Sequence, residues 1–214
     1  MSLLPMCALA QNESYRVSVI PHAGTTISKI SGDSFGDSDW KAGYTLGAGV
    51  EIPLSQCWSV MTGADFSLIG GNYGEQKGQD ETSKKKLNLT YVTIPVQIKT
   101  YISELGGLSV RLGLQAGILA SAKDVEKTKT RSSADESAGK WVTTKTSQDV
   151  SASFRNFVTG LTIGAGYEWR HVVVDATYCY ELRKAAVNKN TVYANTPTAH
   201  NHAIYITAGY KFTL

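Results

Sequence analysis

The residue types in this chain that could carry chemistry are few: four histidines (His22, His171, His200, His202) and three cysteines (Cys7, Cys57, Cys179). The spacing His200-x-His202 puts two imidazoles on one face of an extended strand, where they could share a metal ion. No carboxylate or cysteine cluster stands near them in sequence to complete a ligand set, and a solvated loop edge accounts for the pair. A hydrolase acting on membrane lipid would need a serine nucleophile and a histidine base together on a lipid-facing rim. None of the outward strand positions set out below is Ser or His. The chain is therefore expected to be no enzyme and to carry no cofactor or metal. Cys57 falls in a tight turn and Cys179 in a distant strand, so no disulfide between them is expected.

Two other features suit contact better than catalysis. Lys84-Lys85-Lys86 precedes a strand on the side of the long loops. Basic groups at an anionic membrane surface gain about 1 kcal/mol each, so this run could meet lipopolysaccharide phosphates, although a solubilising strand flank is the commoner cause. Trp141 stands in a Ser-, Thr- and Lys-rich stretch, 121–156, where an aromatic can anchor a protein partner or fold back on a rim. The net charge of +3 and the lack of a concentrated basic stripe speak against nucleic acid.

The elements that must position these residues are strands. Hydrophobic residues make up 42% of the 214 and charged ones 18%, which suits neither a disordered chain nor a helical membrane protein. No run approaches the roughly 18 apolar residues that a membrane-crossing helix needs. Eight segments alternate with period two: 15–27, 42–54, 58–68, 90–102, 108–120, 157–169, 172–182 and 204–214. Their connections alternate as well. The short ones are 55–57, 103–107 and 170–171, and the long ones are 28–41, 69–89, 121–156 and 183–203. Short turns at one end and long polar loops at the other are the pattern of outer-membrane barrels.

One parity of these strands carries no charge. In the segment 108–120 it reads Leu108, Val110, Leu112, Leu114, Ala116, Ile118 and Ala120, and the other strands follow suit. A Lys or Arg facing mid-bilayer costs about 2–4 kcal/mol, which explains the exclusion. The opposite parity collects Gly24, Gly43, Gly47, Gly49, Gly63, Gly113, Gly117, Gly160, Gly164, Gly166 and Gly209. A water-facing strand has no use for so many glycines, whereas the cramped interior of a narrow barrel has. That parity also carries Arg16, Glu51, Asp65, Lys99, Arg111, Glu168, Asp175, Glu181, Arg183 and Lys211, five acids and five bases. Buried charges are retained only when paired, so a matched internal network is expected. Trp58, Tyr167 and Trp169 toward the turns, with Tyr44 and Tyr180 toward the loops, suit interfacial girdles. Pro95, in mid-strand, removes a ladder donor and is expected to sit at a bulge.

The N-terminus reads as the tail of an export signal. Ala8-Leu9-Ala10 is a small-x-small cleavage site after an apolar stretch, which makes residues 1–10 a truncated signal and 11–214 the barrel domain.

The chain resembles the PorT-like outer-membrane β-barrel family, a relative in architecture of small OmpX-type barrels. The resemblance rests on Tyr91-Val92-Thr93-Ile94-Pro95-Val96-Gln97-Ile98-Lys99 and on Gly160-Leu161-Thr162-Ile163-Gly164-Ala165-Gly166-Tyr167-Glu168. The opening His22-Ala23-Gly24 and the closing Ala208-Gly209-Tyr210-Lys211-Phe212 also match. It implies an all-β, eight-stranded antiparallel up-and-down transmembrane barrel, a monomer in the outer membrane of a Gram-negative bacterium, bathed in outer-membrane lipid and lipopolysaccharide. The family name carries a secretion-associated role, beside which an envelope or surface-interaction role stands. The competing reading is a soluble lipocalin-like barrel whose apolar face encloses a small apolar ligand.

Overall fold

The computed structural model describes residues 16–32, 36–77, 81–102, 106–131, 141–151, 156–182 and 200–214. The expected signal, 1–10, and Arg183 lie outside them. The strands formed are β1 (Ser18–Gly32), β2 (Gly36–Asp37), β3 (Lys41–Pro53), β4 (Trp58–Lys77), β5 (Glu81–Tyr101), β6 (Leu108–Arg131), β7 (Trp141–Asp149), β8 (Phe157–Trp169), β9 (Val172–Glu181), β10 (His200–Tyr210) and β11 (Phe212–Thr213). Eight of these, β1, β3, β4, β5, β6, β8, β9 and β10, pair antiparallel in chain order, and β10 returns to β1. The sheet is thus a closed barrel. β11 prolongs β10 in one register, since Ser18 meets Thr213 as His22 meets Gly209.

Local chemistry sets the tight ends. Trp58 carbonyl oxygen accepts from the N–H groups of Leu54 and Ser55 at 2.8 and 3.0 Å, which closes the turn between β3 and β4. Arg170 turns the chain between β8 and β9 with φ 57°, and its guanidinium lies 5.4 Å from the centre of the Trp169 ring.

Exposure alternates along the strands as the parity argument requires. Outward residues such as Leu112 (55% exposed), Leu114, Ile94 and Ile163 are bare, while inward Glu51, Lys99 and Arg111 are buried. A lipocalin-type barrel has the reverse arrangement, and this disposes of it. From Val92 to Ile102 the bare outward row rises about 25 Å, allowing ~3.4 Å per residue and the usual strand tilt, which matches the apolar band of a membrane barrel. Trp58, Tyr167 and Trp169 are exposed at the turn end of this band, and Tyr44 and Tyr180 at the loop end. Leu112→Arg is therefore expected to lower membrane-inserted yield, with a penalty of about 2–4 kcal/mol. Lys127→Ala, on a strand segment beyond the band, leaves the yield in phosphatidylcholine vesicles unchanged. Heat-modifiable gel migration of the two variants checks both.

Three expectations are corrected. First, much of what reads as loop is strand. β4 runs to Lys77, β5 begins at Glu81, β6 runs to Arg131, and β7 pairs with the upper part of β6. These extensions carry Thr and Ser alternating with Lys, for example Thr128, Lys129 and Thr130. Thr favours strands without giving any apolar alternation to read. Second, the interior is not polar throughout. Ile30, Ile69, Leu87, Leu89, Tyr91, Ala122, Val158 and Ala203 form a buried apolar cluster at its loop end. Third, Pro95 does not sit at a bulge. The β4–β5 ladder lapses opposite Ile94 and Pro95, then resumes in the same register from Thr62↔Val96 to Asp65↔Thr93. The β5–β6 bulge lies higher, where Thr90 meets Ser121 but Tyr91 meets Leu119. The extra residue, Ala120, reverses the parity of β6 above it, so Ala122 faces in and Lys123 faces out.

Candidate functional site

The interior is built in tiers. Nearest the turns, Lys99 Nζ lies 3.1 Å from Glu51 Oε2 and 3.7 Å from Glu168 Oε2. Lys211 Nζ lies 3.2 Å from Glu51 Oε2 and 3.1 Å from Glu168 Oε1. The Tyr101 hydroxyl stands among them, 2.6 Å from Glu51 Oε1 and 3.0 Å from Glu168 Oε2, and accepts from Lys211 at 3.2 Å. Ser59 donates to Glu51 at 2.8 Å. Two acids thus face two bases, which is the balance that keeping them buried requires. Arg16 lines a cavity of about 120 Å³ at this mouth and is itself exposed.

In the middle tier, polar side chains two strands apart meet across a glycine on the strand between them. His22, Gly47 and Asp65 share one row of the sheet, and His22 Nε2 reaches Asp65 Oδ1 at 2.6 Å. Gln97, Gly113 and Thr162 share another, and Gln97 donates to Thr162 Oγ1 at 2.9 Å. Arg111, Gly164 and Thr177 share a third, and Arg111 donates to Thr177 at 3.0 Å while lying 2.9 Å from Asp175. A side chain on any of these glycines would occupy the path of the crossing group. A Cβ on Gly47 would meet the Asp65 carboxylate, and one on Gly164 would lie 2.6 Å from Thr177 Oγ1. A cavity of about 70 Å³ remains at this level.

Above it, Glu181 is buried and accepts from Asn201 at 2.7 Å, beside a void of about 10 Å³ and just below the apolar cluster. Lys41 donates to the Leu87 carbonyl at 2.8 Å and to Asn88 Oδ1 over that cluster.

Of the ten charges expected inside, Glu51, Asp65, Lys99, Arg111, Glu168, Asp175 and Lys211 join these networks, and Glu181 is buried without a described ion pair. Arg16 sits at the mouth, and Arg183 is outside the described residues. His22, Tyr101, Lys41 and Asn201 are the residues that sequence reasoning missed. His22 and Tyr101 stand on the inward parity, so counting all polar inward positions, not only Asp, Glu, Lys and Arg, would have found them. Cys179 is a buried free thiol.

The loop-end rim also corrects the histidine reading. Because β1 and β10 run higher than expected, His200 and His202 are on an outward strand edge, with His200 opposite Ser31 and His202 opposite Lys29. His200 Nδ1 lies 3.0 Å from the Glu181 carbonyl and His202 Nδ1 lies 2.7 Å from the Tyr178 hydroxyl, with the His200 ring stacked on Tyr180. No third His, Cys, Asp or Glu joins them as a ligand group among the described residues.

Beyond the apolar band, β4, β5, β6 and β7 continue as one sheet, in which β6 alone advances roughly 30 Å past Ile118 at ~3.4 Å per residue and the usual tilt. Lys84 pairs with Lys127, Lys85 with Glu126, Lys86 with Val125, and Trp141 with Arg131. Of Lys84, Lys85 and Trp141 the structure describes backbone position only. Asp149, at the end of β7, receives hydrogen bonds from Ser151, which hold its carboxyl below the usual carboxylate range.

The chain matches the model of the family described as outer membrane protein beta-barrel domain over residues 9–186. Among solved structures it is similar to Ail, the attachment invasion locus protein of Yersinia pestis, at 14% identity and TM-score 0.46, covering 93% of this chain and 100% of that one. It is similar also to Neisserial surface protein A, at 13% identity and TM-score 0.43, covering 92% and 97%. A major outer membrane protein from Thermus thermophilus matches at 14% identity and TM-score 0.43, covering 92% and 99%. No curated protein sequence matches the chain. With a family match over most of its length and a closed eight-stranded barrel bare of charge on its outer band, the chain belongs to the outer-membrane β-barrel domain family and resides in the outer membrane of a Gram-negative bacterium.

Proposed function

We propose that this outer-membrane protein is a non-enzymatic, non-conducting anchor that holds a stiff sheet at the cell surface for contact with other molecules. The observation that carries this reading is the contrast between its two halves. Among the described residues the interior is filled by an apolar cluster above two polar tiers, with cavities of about 120, 70 and 10 Å³ between side chains. Eight strands leave room for side chains rather than a channel. The strand extensions, by comparison, use many residues that contribute nothing to crossing the membrane.

On this reading residues 1–10 are an export signal that is removed, the mature chain is a monomer, the paired interior charges keep the barrel closed, and the loop end meets lipopolysaccharide and a protein partner. The PorT-like resemblance favours a secretion-associated role over one in envelope integrity. Two measurements test it. The purified barrel in a planar bilayer should give no stable channel. A strain carrying the barrel with Lys123–Asp149 replaced by a short turn should insert that barrel normally, yet match a deletion strain in secretion and envelope-permeability assays. A steady conductance, or a wild-type phenotype from the shortened barrel, would overturn it.

A further inference from the structure

We infer that the outward face of the β5–β6–β7 sheet is a binding face for the phosphorylated headgroups of outer-leaflet glycolipid. The inference rests on the surface-contact reading above and gives its lipopolysaccharide contact a face and named residues.

Directly paired residues share a face of a sheet. Below the bulge the face carrying Ile94 and Ile118 looks into lipid; above it, the parity reversal at Ala120 gives the same face to Lys86, Lys123 and Lys127. Register adds Lys145, which is opposite Lys127, and puts the backbone of Lys84 opposite Lys127 on the other side. Three lysine positions therefore stand abreast on neighbouring strands. Lys123, Lys127 and Lys145 are exposed. Among the described side chains of β5, β6 and β7, the acid on this face is Asp149, opposite Lys123. Asp124 and Glu126 fall on the other face, paired with Leu87 and Lys85.

Like charges directly opposite one another destabilise a strand pair. An acid opposite Lys127 would have avoided this, as Asp149 does opposite Lys123, but this rung carries Lys on all three strands. An anion lying across the rungs relieves the repulsion. Its source follows from height. Lys123 is five residues above Ile118, and the Lys127–Lys145 rung is four residues higher, so the lysines stand roughly 10–20 Å beyond the apolar band at ~3.4 Å per residue with the usual tilt. They look sideways, over the lipid, and not upward into solvent. Phosphorylated sugars of the outer leaflet occupy that zone.

The test compares the refolded full-length barrel in phosphatidylcholine vesicles with the same barrel in vesicles that also contain lipopolysaccharide. The folded fraction is read against urea from unheated gel migration. Lipopolysaccharide should shift the folding equilibrium toward the barrel. Lys86→Gln/Lys127→Gln/Lys145→Gln should lose on the order of 100-fold of that shift, about fivefold per lysine, while unfolding as wild type in phosphatidylcholine alone. Should the triple variant fail to fold there, Lys127→Gln should lose about fivefold. Dephosphorylated lipopolysaccharide should give no shift. The inference is overturned if the triple variant keeps the full shift, if the shift survives dephosphorylation, or if soluble heparin protects the wild-type barrel equally well. None of these results touches the conductance or deletion phenotypes, so failure here is distinguishable from failure of the broader reading.

Discussion

Gly113→Val is expected to abolish or nearly abolish stable barrel formation, while Gly49→Ala is expected to leave stability within about 1 kcal/mol of wild type. Both glycines face inward, and composition does not tell them apart. A Cβ on Gly113 would fall 2.6 Å from Gln97 Cα and closer still to the Val96 carbonyl oxygen, so backbone would have to move. It would also meet the Gln97 side chain where that crosses toward Thr162. Overpacking costs about 1–3 kcal/mol, and a buried amide and hydroxyl left unpaired add about 1–3 kcal/mol each. A Cβ on Gly49 has its nearest neighbour, Met61 Cε, at 3.7 Å, which is ordinary contact. Urea unfolding in lipid vesicles, followed by gel migration, measures the difference. Equal stability of the two variants would mean that the crossings over glycine are not what the interior depends on.

The second large effect lies among the four charges at the turn end. Glu51→Ala leaves Lys99 and Lys211 sharing Glu168 alone, and Lys99 is only 1% exposed. Breaking one side of a buried pair costs about 3–5 kcal/mol, because the remaining charge keeps its desolvation penalty without its partner. Removing a matched acid and base together restores the balance. Glu51→Gln/Lys99→Met should therefore unfold at a higher urea concentration than Glu51→Ala, despite carrying one more substitution. If the double variant is the weaker, charge balance is not the controlling term in this tier.

The two faces of the barrel were legible because the bilayer imposes a rule on every outward position. A charge at Leu112 or Ile163 is excluded by hydrocarbon whatever stands beside it, so parity alone identifies the face. Partnership inside the barrel was not legible in the same way. Glu51 and Lys99 come from β3 and β5, and which acid meets which base depends on the stagger between strands, to which no single segment testifies. The crossings of His22 over Gly47 and Gln97 over Gly113 need the same knowledge. The extensions escaped for a different reason. Around Thr128 and Thr144 both faces are polar, so strand and loop carry the same hydropathy signature. Ala120 is equally silent. Nothing in Ile118-Leu119-Ala120-Ser121 announces an unpaired residue, yet it decides whether Lys123 points toward the axis or away from it.

The seam between the first and last strands has a bearing on biogenesis. Ser18 and Thr213 are 195 residues apart in the chain, and Ser18 Oγ lies 3.5 Å from Thr213 Oγ1. Until 200–214 has been translated and delivered to the periplasm, β1 and β9 each keep a row of unpaired N–H and C=O groups that hydrocarbon cannot satisfy. A nascent chain therefore has no route to stepwise, hairpin-by-hairpin residence in lipid. Those edges must stay in water or be covered by another protein until β10 is present to close the sheet.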